Sequence, residues 1–416
     1  MHPLKKRALC FLFPCGLLLA APARADTLAT LLEQAWAKHP QASALMARET
    51  ENDARAQLAR GRTPGAATLS FSHLNDVLTG YRGRQEWEAE LSAPLWLPGQ
   101  QVAQQQEVAR AQSELAAFRR ALRLDLAGEI RMAWGNLTAA RSLSALAQRR
   151  VSSARALEAD VLRRYRAGEA ARSDANLAQN ERLGAETAQL EAGSALALAE
   201  QALRTLTGQN AVPALLTLEN PAENTLEPPP VGHTVTQVLA EDHPRLAALN
   251  AKLQTARAHL ATVRQNRREA PELGLRVLRE RADSSDAFAH ALGVRLSMPL
   301  TFGPSLRREE AAAHADVLQA EADLAQTRLR LHAEVEQAKH KLDALQHQLR
   351  LVQEQQRLNA DNLALAEKAY ALGEFDLNTL LRARAAALES EARLEGTQNE
   401  RVAAQSSLIQ ALGVLP

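Results

Sequence analysis

Histidines and carboxylates are the side chains of this 416-residue sequence whose spacing could carry chemistry. His332, His340 and His347 are the nearest approach to a metal-ligand set. His340 and His347 are seven residues apart and could share a helix face, but both lie off the apolar stripe of that helix. A solvated helix face is therefore preferred over a metal site. With no P-loop and no Gly-rich dinucleotide signature, we expect neither enzyme activity nor a cofactor.

Two short segments contain the remaining candidates, "YRAGEAARSD" at 165–174 and "YALGEFDLN" at 370–378. Each has a glycine followed by a glutamate, and the second adds an aspartate whose counterpart at 171 is alanine. The candidate residues are Gly168, Glu169, Gly373, Glu374 and Asp376. Glycine ends helices readily, so a purely structural role is one interpretation. Exposed carboxylates that attract cations or basic side chains are the other.

These segments recur because the sequence contains an internal duplication. With an offset of 205 residues, "LSAPL" at 91–95 aligns with "LSMPL" at 296–300, and the two Tyr-x-x-Gly-Glu motifs align as well. The alternative, chance alignment of two Ala/Leu/Arg-rich helical arrays, does not account for these shared interruptions. We therefore predict two repeats, over 26–211 and 234–416. A proline-rich connector over 212–233 joins them and is predicted to be irregular.

The first 25 residues have the features of a secretory signal peptide. A basic start precedes a mostly apolar run at 8–21, and a small-x-small cleavage site follows at 23–25. The alternative is a lipoprotein anchored through Cys15, which the preceding Pro14 disfavours. We therefore expect an exported chain.

Composition narrows the class of the exported chain. Both cysteines leave with the signal peptide, and 45 basic and 48 acidic side chains remain, a balance unlike that of a nucleic-acid-binding protein. The sequence is 46% hydrophobic but only 3% aromatic, which favours long packed helices over a bulky globular core.

Each repeat is predicted to be mainly helical. His39-Pro40 and its equivalent at 243–244 should interrupt the helices, since proline restricts the residue before it. Predicted helices cover 40–62, 100–165, 244–266 and 305–370, and two more end at Gly208 and Gly413 after N-caps at Ser173 and Asn378. The long helices show coiled-coil spacing. The clearest stripe is Leu331, Val335, Ala338, Leu342, Leu345, Leu349 and Val352.

Alternating apolar and polar residues predict one β-hairpin in each repeat. The strands should cover about 66–75 and 86–96, and about 272–280 and 288–300. Pro94 and Pro299 should mark the points, at one height, where strand pairing ends and the chain turns towards the long helix. Four strands cannot enclose a membrane barrel, for which eight is about the minimum. A closed barrel would therefore need several chains.

The ordered set of features resembles the outer-membrane factor (TolC) family over essentially the whole exported chain. The set comprises the signal peptide, the duplicated helix–hairpin–long helix–helix unit, Ser-x-Pro-Leu after the second strand and Tyr-x-x-Gly-Glu at the helical turn. The family usually has Asn-Pro where this sequence has His-Pro. The length and general style are similar to the metal-efflux (CzcC-like) branch.

The resemblance implies a mainly α fold with a small β part. It implies a homotrimer with a twelve-stranded outer-membrane β-barrel that continues into a periplasmic α-helical tunnel. It also implies a passive exit duct working with a periplasmic adaptor and an inner-membrane transporter of the RND or ABC type. The cargo would be a heavy metal or a drug. Alternatives are a type I secretion duct and a periplasmic coiled-coil structural or adaptor protein without a barrel.

In the family, the periplasmic helical turns meet the adaptor and close the tunnel. The resemblance therefore assigns adaptor contact to Gly168, Glu169, Gly373 and Glu374. When three chains meet, Glu169, Glu374 and Asp376 could form an acidic ring in which like charges repel. This makes Asp376 a candidate gate residue.

Overall fold

The computed structural model describes residues 26–78, 80, 82–208, 216–217, 243–300 and 303–416. The predicted signal peptide and most of the predicted connector lie outside the described residues. Two connector residues depart from the expected irregular structure, since Leu216–Thr217 form a short strand parallel to Asp26–Thr27. Their extended backbone joins the connector to the start of the first repeat.

The elements that are described in both repeats follow the same order in each, helix, two strands, long helix and helix. The first repeat and the connector contain β1 (Asp26–Thr27), α1 (Leu28–Lys38), α2 (Pro40–Ala59), β2 (Thr68–Asn75), β3 (Gln85–Pro94), α3 (Gln100–Arg166), α4 (Arg172–Thr207) and β4 (Leu216–Thr217). The second repeat contains α5 (Pro244–Gln265), β5 (Glu272–Arg281), β6 (Ala289–Ser297), α6 (Pro304–Ala371) and α7 (Leu377–Ala411). The predicted mainly α fold with a small β part is confirmed.

The His-Pro pairs begin helices α2 and α5 in the same way. The ring nitrogen Nδ1 of His39 accepts a hydrogen bond from the backbone of Gln41 at 3.3 Å, and Nδ1 of His243 accepts one from Arg245 at 3.2 Å. The proline that follows each histidine occupies the first helical position, where no donor is needed. Each histidine therefore serves as the N-cap of the helix that its proline starts.

The long helices organise the packing of the shorter ones. Helix α3 has 67 residues and α6 has 68, so each is about 100 Å long at 1.5 Å per residue. Helices α2 and α4 both pack on α3, and α5 and α7 both pack on α6. Helix α3 also contacts α5 and α7, which joins the two repeats. The apolar stripe predicted along α6 is buried or half-buried throughout, as coiled-coil spacing requires.

The four longer strands form one antiparallel sheet in the order β2-β3-β5-β6. Hairpins β2–β3 and β5–β6 are joined through the central pair β3–β5, which comes from different repeats. Strands β2 and β6 are the edges of the sheet. All four strands lie within two or three residues of their predicted limits.

The two prolines at the end of the sheet are not equivalent, so the prediction of equal height is wrong. Pro94 is the last residue of β3 and lies opposite Glu272, whereas Pro299 lies two residues beyond the end of β6. The backbone N–H of Leu95 donates to Pro271 O at 2.8 Å on the β5 side. The nitrogen of Pro94 therefore faces the opposite side, beyond the start of β2, where its missing donor costs no ladder hydrogen bond.

Candidate functional site: the helical turns and the sheet

The first turn, residues 163–172, links α3 to α4. Gly168 has φ of 80°, a left-handed conformation that glycine adopts without strain. The backbone N–H of Glu169 donates to Arg164 O at 2.9 Å, and that of Gly168 donates to Tyr165 O at 3.0 Å. These two bonds are the Schellman pattern that satisfies the last carbonyl groups of a helix.

The second turn, residues 368–377, links α6 to α7 and repeats this backbone. Gly373 has φ of 78°. The N–H of Glu374 donates to Ala369 O at 2.9 Å, and that of Gly373 donates to Tyr370 O at 3.1 Å. Both glycines therefore end a helix, while their contact with an adaptor stays a prediction.

The N-caps after the two turns are not Ser173 and Asn378, as predicted, but Ala171 and Asp376. The Schellman bonds reverse the chain within few residues, so each new helix begins two residues before the N-cap predicted from the sequence. At the second turn, Oδ1 of Asp376 accepts a hydrogen bond from the backbone N–H of Thr379 at 2.9 Å. At the first turn the alanine offers no acceptor.

The carboxylate of Asp376 is stabilised in its charged form by this cap. Hydrogen bonds from the side chain and the backbone of Thr379 hold the pKa of Asp376 below its ordinary value. The structure thus assigns Asp376 a capping role in addition to its predicted role as a gate. Within the described residues, no hydrogen bond or ion pair joins Glu169, Glu374 or Asp376 to another of the three. An acidic ring needs further copies of the chain and stays a prediction.

The two turns pack against each other through an apolar cluster and one cation–π contact. The cluster contains Leu157, Val161 and Ala178 from the first repeat and Ala366, Leu377 and Leu380 from the second. The guanidinium carbon of Arg164 lies 4.8 Å from the centroid of the Tyr370 ring. Burial raises the pKa of Tyr370, and the nearby Arg164 cation opposes this. Sequence reasoning did not find this contact, which joins residues 206 positions apart in the chain.

The sheet at the other end of the helices has two faces of opposite character. In the middle rows of one face, apolar residues lie opposite apolar residues, for example Leu91 opposite both Leu69 and Leu275. The apolar face comprises Leu69, Phe71, Ala89, Leu91, Ala93, Leu273, Leu275, Val277, Leu292, Val294 and Leu296. The charged face comprises Glu86, Glu88, Glu90, Glu272, Arg276, Glu280 and Arg295.

At the centre of the sheet, the exposure of the two faces is the reverse of that in a water-soluble sheet. On the apolar face, Leu292 and Val294 are 72% and 74% exposed, whereas Glu90 on the charged face is only 7% exposed. The sheet strands pack mainly on one another, so the shelter comes from neighbouring side chains of the charged face. Arg295 pairs with Glu90 at 2.9 Å and with Glu88 at 3.6 Å, and Arg276 pairs with Glu88 at 3.4 Å.

Gly274 provides the space for the most enclosed member of this network. A Cβ atom at this position would come within 2.5 Å of a Glu90 carboxylate oxygen. Glycine within a strand often marks such a close approach. The sequence signal was present in the alternation of Glu88 and Glu90 with apolar residues, but pairing them with arginines from the other repeat requires the register of β3 and β5.

Three of the four histidines of α6 are the candidates singled out from the sequence, and they lie on the solvent side of the helix, as expected. His332, His340 and His347 are all exposed, and Nδ1 of His347 lies 2.7 Å from a guanidinium nitrogen of Arg350. Among the described residues, no group of three or more potential ligands is placed to hold a metal ion. Within the same residues, no helix is both long enough and apolar enough to cross a membrane.

Comparison with known proteins relates this arrangement of long paired helices and a small antiparallel sheet to one protein family. Residues 235–414 match the profile of the outer membrane efflux protein family. The second repeat is therefore similar to that family, and the resemblance predicted from the sequence is confirmed. The family consists of outer-membrane proteins, in agreement with the predicted location. A comparison with curated protein sequences finds no match.

Solved structures with this fold include several outer-membrane channels. The chain is similar to CusC, with a TM-score of 0.78, 17% identity and coverage of 93% of this chain and 92% of that one. It is also similar to the outer membrane protein VceC of Vibrio cholerae, with a TM-score of 0.70, 19% identity and coverage of 93% and 96%. For the open MtrE channel of Neisseria gonorrhoeae, the TM-score is 0.70, the identity 17% and the coverage 93% and 88%.

Proposed function

We propose that three copies of this chain form a passive exit duct through the outer membrane. The observation that carries the proposal is the inverted sheet, whose apolar face is exposed while the charged residues at the centre of its other face, Glu88, Glu90 and Arg276, are buried or half-buried. In a membrane barrel the apolar face contacts lipid and the polar face lines the interior. The strands of 8 to 10 residues are close to the length that a tilted strand needs to span a bilayer.

Closure of the sheet requires additional copies of the chain. Strands β2 and β6 are edges, and an unpaired edge in hydrocarbon leaves backbone groups without hydrogen-bond partners. Pairing of β2 in one copy with β6 in the next removes every edge. Three copies give twelve strands, the number implied by the family resemblance.

The helices extend this duct away from the membrane. The sheet connects to the long helices at one end, so the helical turns lie about 100 Å from it. In this proposal the turns meet a periplasmic adaptor, which connects the duct to an inner-membrane transporter. The chain itself performs no catalysis, and the partner proteins supply the energy.

The cargo assigned by the proposal is a small solute such as a drug or a heavy-metal ion. Support comes from the family match, since the family is described as one of efflux proteins. A type I secretion duct is the alternative that retains the barrel. A periplasmic coiled-coil protein without a barrel is disfavoured, because it would leave the exposed apolar face of the sheet in water.

Engineered disulfides across the proposed chain boundary test this function. Both natural cysteines lie within residues 1–25, so the introduced cysteines are the only thiols expected in the exported chain. Ser72→Cys on β2 is combined in turn with Ala289→Cys, Ala291→Cys or Gly293→Cys on β6. One combination should give covalent trimers in outer-membrane fractions, because adjacent strands bring Cβ atoms within disulfide distance.

The matched control places the first cysteine on β3, as Ser92→Cys, with the same β6 partners. Both sides of β3 are already paired within the chain, so no cross-linked trimer is expected. Recovery of the unmodified protein as a soluble periplasmic monomer would contradict the proposal, as would the absence of cross-links in every register.

A further inference from the structure

Phosphate-bearing lipid headgroups are the ligand that one edge of the apolar face fits. We propose that six residues at the hairpin-loop end of this face form an anionic-lipid site. This rim comprises His73, Trp87, Arg279, Arg281, Phe288 and His290. The inference rests on the proposed function, because it requires the apolar face to contact lipid.

The register of the sheet places the rim in line. His73, Trp87, Arg279 and His290 occupy one row across all four strands. Arg281 lies on the same face two residues further towards the hairpin loops, opposite Gln85. The row that contains Leu273 and Leu296 lies about 20 Å away at 3.4 Å per residue, and the apolar side chains fill the interval.

Charge on the apolar face is confined to this rim and has one sign. The acidic residues of the four strands all lie on the charged face, so their carboxylates are on the other side of the sheet. Arg276 and Arg295 on the charged face are paired with Glu88 and Glu90. In contrast, no ion pair within the described part of the chain includes Arg279 or Arg281.

The ring of Phe288 packs against both rim arginines. The guanidinium carbons of Arg279 and Arg281 lie 4.1 Å and 4.9 Å from the centroid of Phe288. Arg281 also donates from Nε to Gly83 O at 3.1 Å. Two cations gathered at one ring repel each other, and an anion bound to both removes this repulsion. Guanidinium groups bind phosphate oxygens with paired hydrogen bonds.

The other aromatic residues of the rim suit the boundary between hydrocarbon and headgroups. The rings of His73 and Trp87 stack with centroids 3.8 Å apart, and Phe71 lies 5.8 Å from Trp87 on the apolar side. Tryptophan concentrates at membrane–water boundaries, where its polar edge meets the headgroups. A lipid chain would lie along the apolar face, and its phosphate would reach the arginines.

Acidic residues in the adjoining loops do not neutralise the rim in the structure. Oδ2 of Asp76 accepts from the backbone of Arg82 at 2.8 Å, and Oδ1 of Asp283 accepts from the backbone of Ser285 at 3.1 Å. Both carboxylates are turned into their own loops. Asp286 is the other acid of the second loop, and it too forms no ion pair within the described residues.

The test compares lipids that differ only in headgroup. Full-length exported protein, purified as trimers in neutral detergent, is mixed with phosphatidylglycerol or with phosphatidylcholine of the same chains. The midpoint temperature of trimer dissociation should rise more with phosphatidylglycerol, and added salt should reduce the difference. The double variant R279Q/R281Q should lose most of the difference, and R279K/R281K should retain part of it.

Two controls separate the possible explanations. The variant R163Q/R166Q removes two arginines from the first turn, far from the sheet, and should behave like the unmodified protein. Inorganic phosphate without lipid should give little stabilisation, because it lacks the apolar chain. Equal effects of the two lipids on unmodified trimers would overturn the inference, and so would a full effect of inorganic phosphate or an unchanged lipid preference in R279Q/R281Q.

The proposed function can fail independently of this inference. If the unmodified protein forms no trimers and does not enter outer membranes, the exit duct itself is wrong. If membrane trimers form but show no preference for phosphatidylglycerol, only the lipid site is wrong. Should R279Q/R281Q fail to assemble, the lipid comparison and its salt dependence on unmodified trimers still decide the question.

Discussion

The two helical turns of this chain have the same backbone but different side chains. Gly168 and Gly373 have φ angles within two degrees of each other, and the same pair of hydrogen bonds ends each long helix. Around this shared backbone, residues 163–172 carry four arginines and one glutamate. Residues 368–377 carry one lysine, Glu374 and Asp376.

The turns also differ in their apolar residues. The second turn exposes Leu372 and Phe375, whereas the corresponding residues of the first are Ala167 and Ala170. Beneath the second turn, Leu380 fills the shared apolar cluster at a position where the first repeat has Ala175. Duplication has therefore kept the backbone that reverses the chain, while the two copies have acquired different packing and charge.

The largest difference between the turns should appear in their packing. Leu380 is only 1% exposed, so Leu380→Ala should lower the free energy of unfolding by about 2–5 kcal/mol through loss of burial and creation of a cavity. Chemical denaturation followed by circular dichroism measures this. Leu372→Ala is the control, since its side chain is 75% exposed and a change within about 0.5 kcal/mol is expected. Equal losses of unfolding free energy in Leu380→Ala and Leu372→Ala would show that the packing of the second turn does not depend on Leu380.

The shared backbone should make the two glycines equally important. Gly168→Ala and Gly373→Ala should each cost about 1–2 kcal/mol, because both positions require the left-handed conformation. The same denaturation experiment provides the comparison. Gly184→Ala and Gly396→Ala, within helices and with open space around them, should instead stabilise by up to about 1 kcal/mol. A large inequality between the two turns would break the proposed equivalence.

The missing cap of the first turn can be supplied. Ala171 has φ and ψ of −76° and 157°, close to the −79° and 165° of Asp376. Ala171→Ser should therefore place a hydroxyl acceptor at the start of α4 and stabilise the protein by about 1 kcal/mol. Thermal unfolding checks the gain. A loss of stability would indicate that the first turn cannot accommodate the cap found in the second.

The contact between the turns should have a smaller effect. Arg164→Gln removes the cation from the face of Tyr370 and should cost about 0.5–1 kcal/mol. Arg163→Gln is the matched control, since Arg163 and Arg164 both pair with Asp160 but only Arg164 lies on the ring. Equal effects of the two substitutions in thermal unfolding would assign the loss to the ion pair instead of the ring.

The pH dependence of the second cap should be the smallest effect. The pKa of Asp376 is lowered by its bonds to Thr379, so its stabilisation is fully present above the unfolded-state pKa. That stabilisation is lost as the pH falls through the lower, folded-state value. The stability difference between the unmodified protein and Asp376→Asn should therefore shrink in acid, as measured by thermal unfolding from neutral to acidic pH. The gain from Ala171→Ser, which has no titrating group, should stay constant.

Much of the local structure was predictable because short-range chemistry determines it. The His-Pro pairs begin helices, since proline fits the first turn and the preceding histidine cannot continue a helix. Helices α3 and α6 begin and end within about a residue of their predicted limits, because glycine residues bound them. The N-caps were misplaced because the number of residues consumed by a Schellman turn depends on its hydrogen bonds.

The site was predicted less completely than the fold. The glycine and carboxylate residues of both turns were identified from their spacing. The capping role of Asp376 and the contact of Arg164 with Tyr370 were not, since both depend on how backbone and side chains meet after folding. Pro94 and Pro299 were treated as equivalent because their local sequences match, yet only Pro94 lies within a strand.

The sequence by itself determined the duplication, the order of elements, the lengths of the helices and the alternation of the strands. Each of these follows from periodicity or from the backbone preferences of proline and glycine. Only the tertiary structure decided which residue of one strand lies opposite which residue of the next. The pairing of Glu90 with Arg295 and the alignment of Trp87 with Arg279 depend on that register. Periodicity places a side chain on a face of its own strand, whereas register is fixed by hydrogen bonds between segments nearly 200 residues apart.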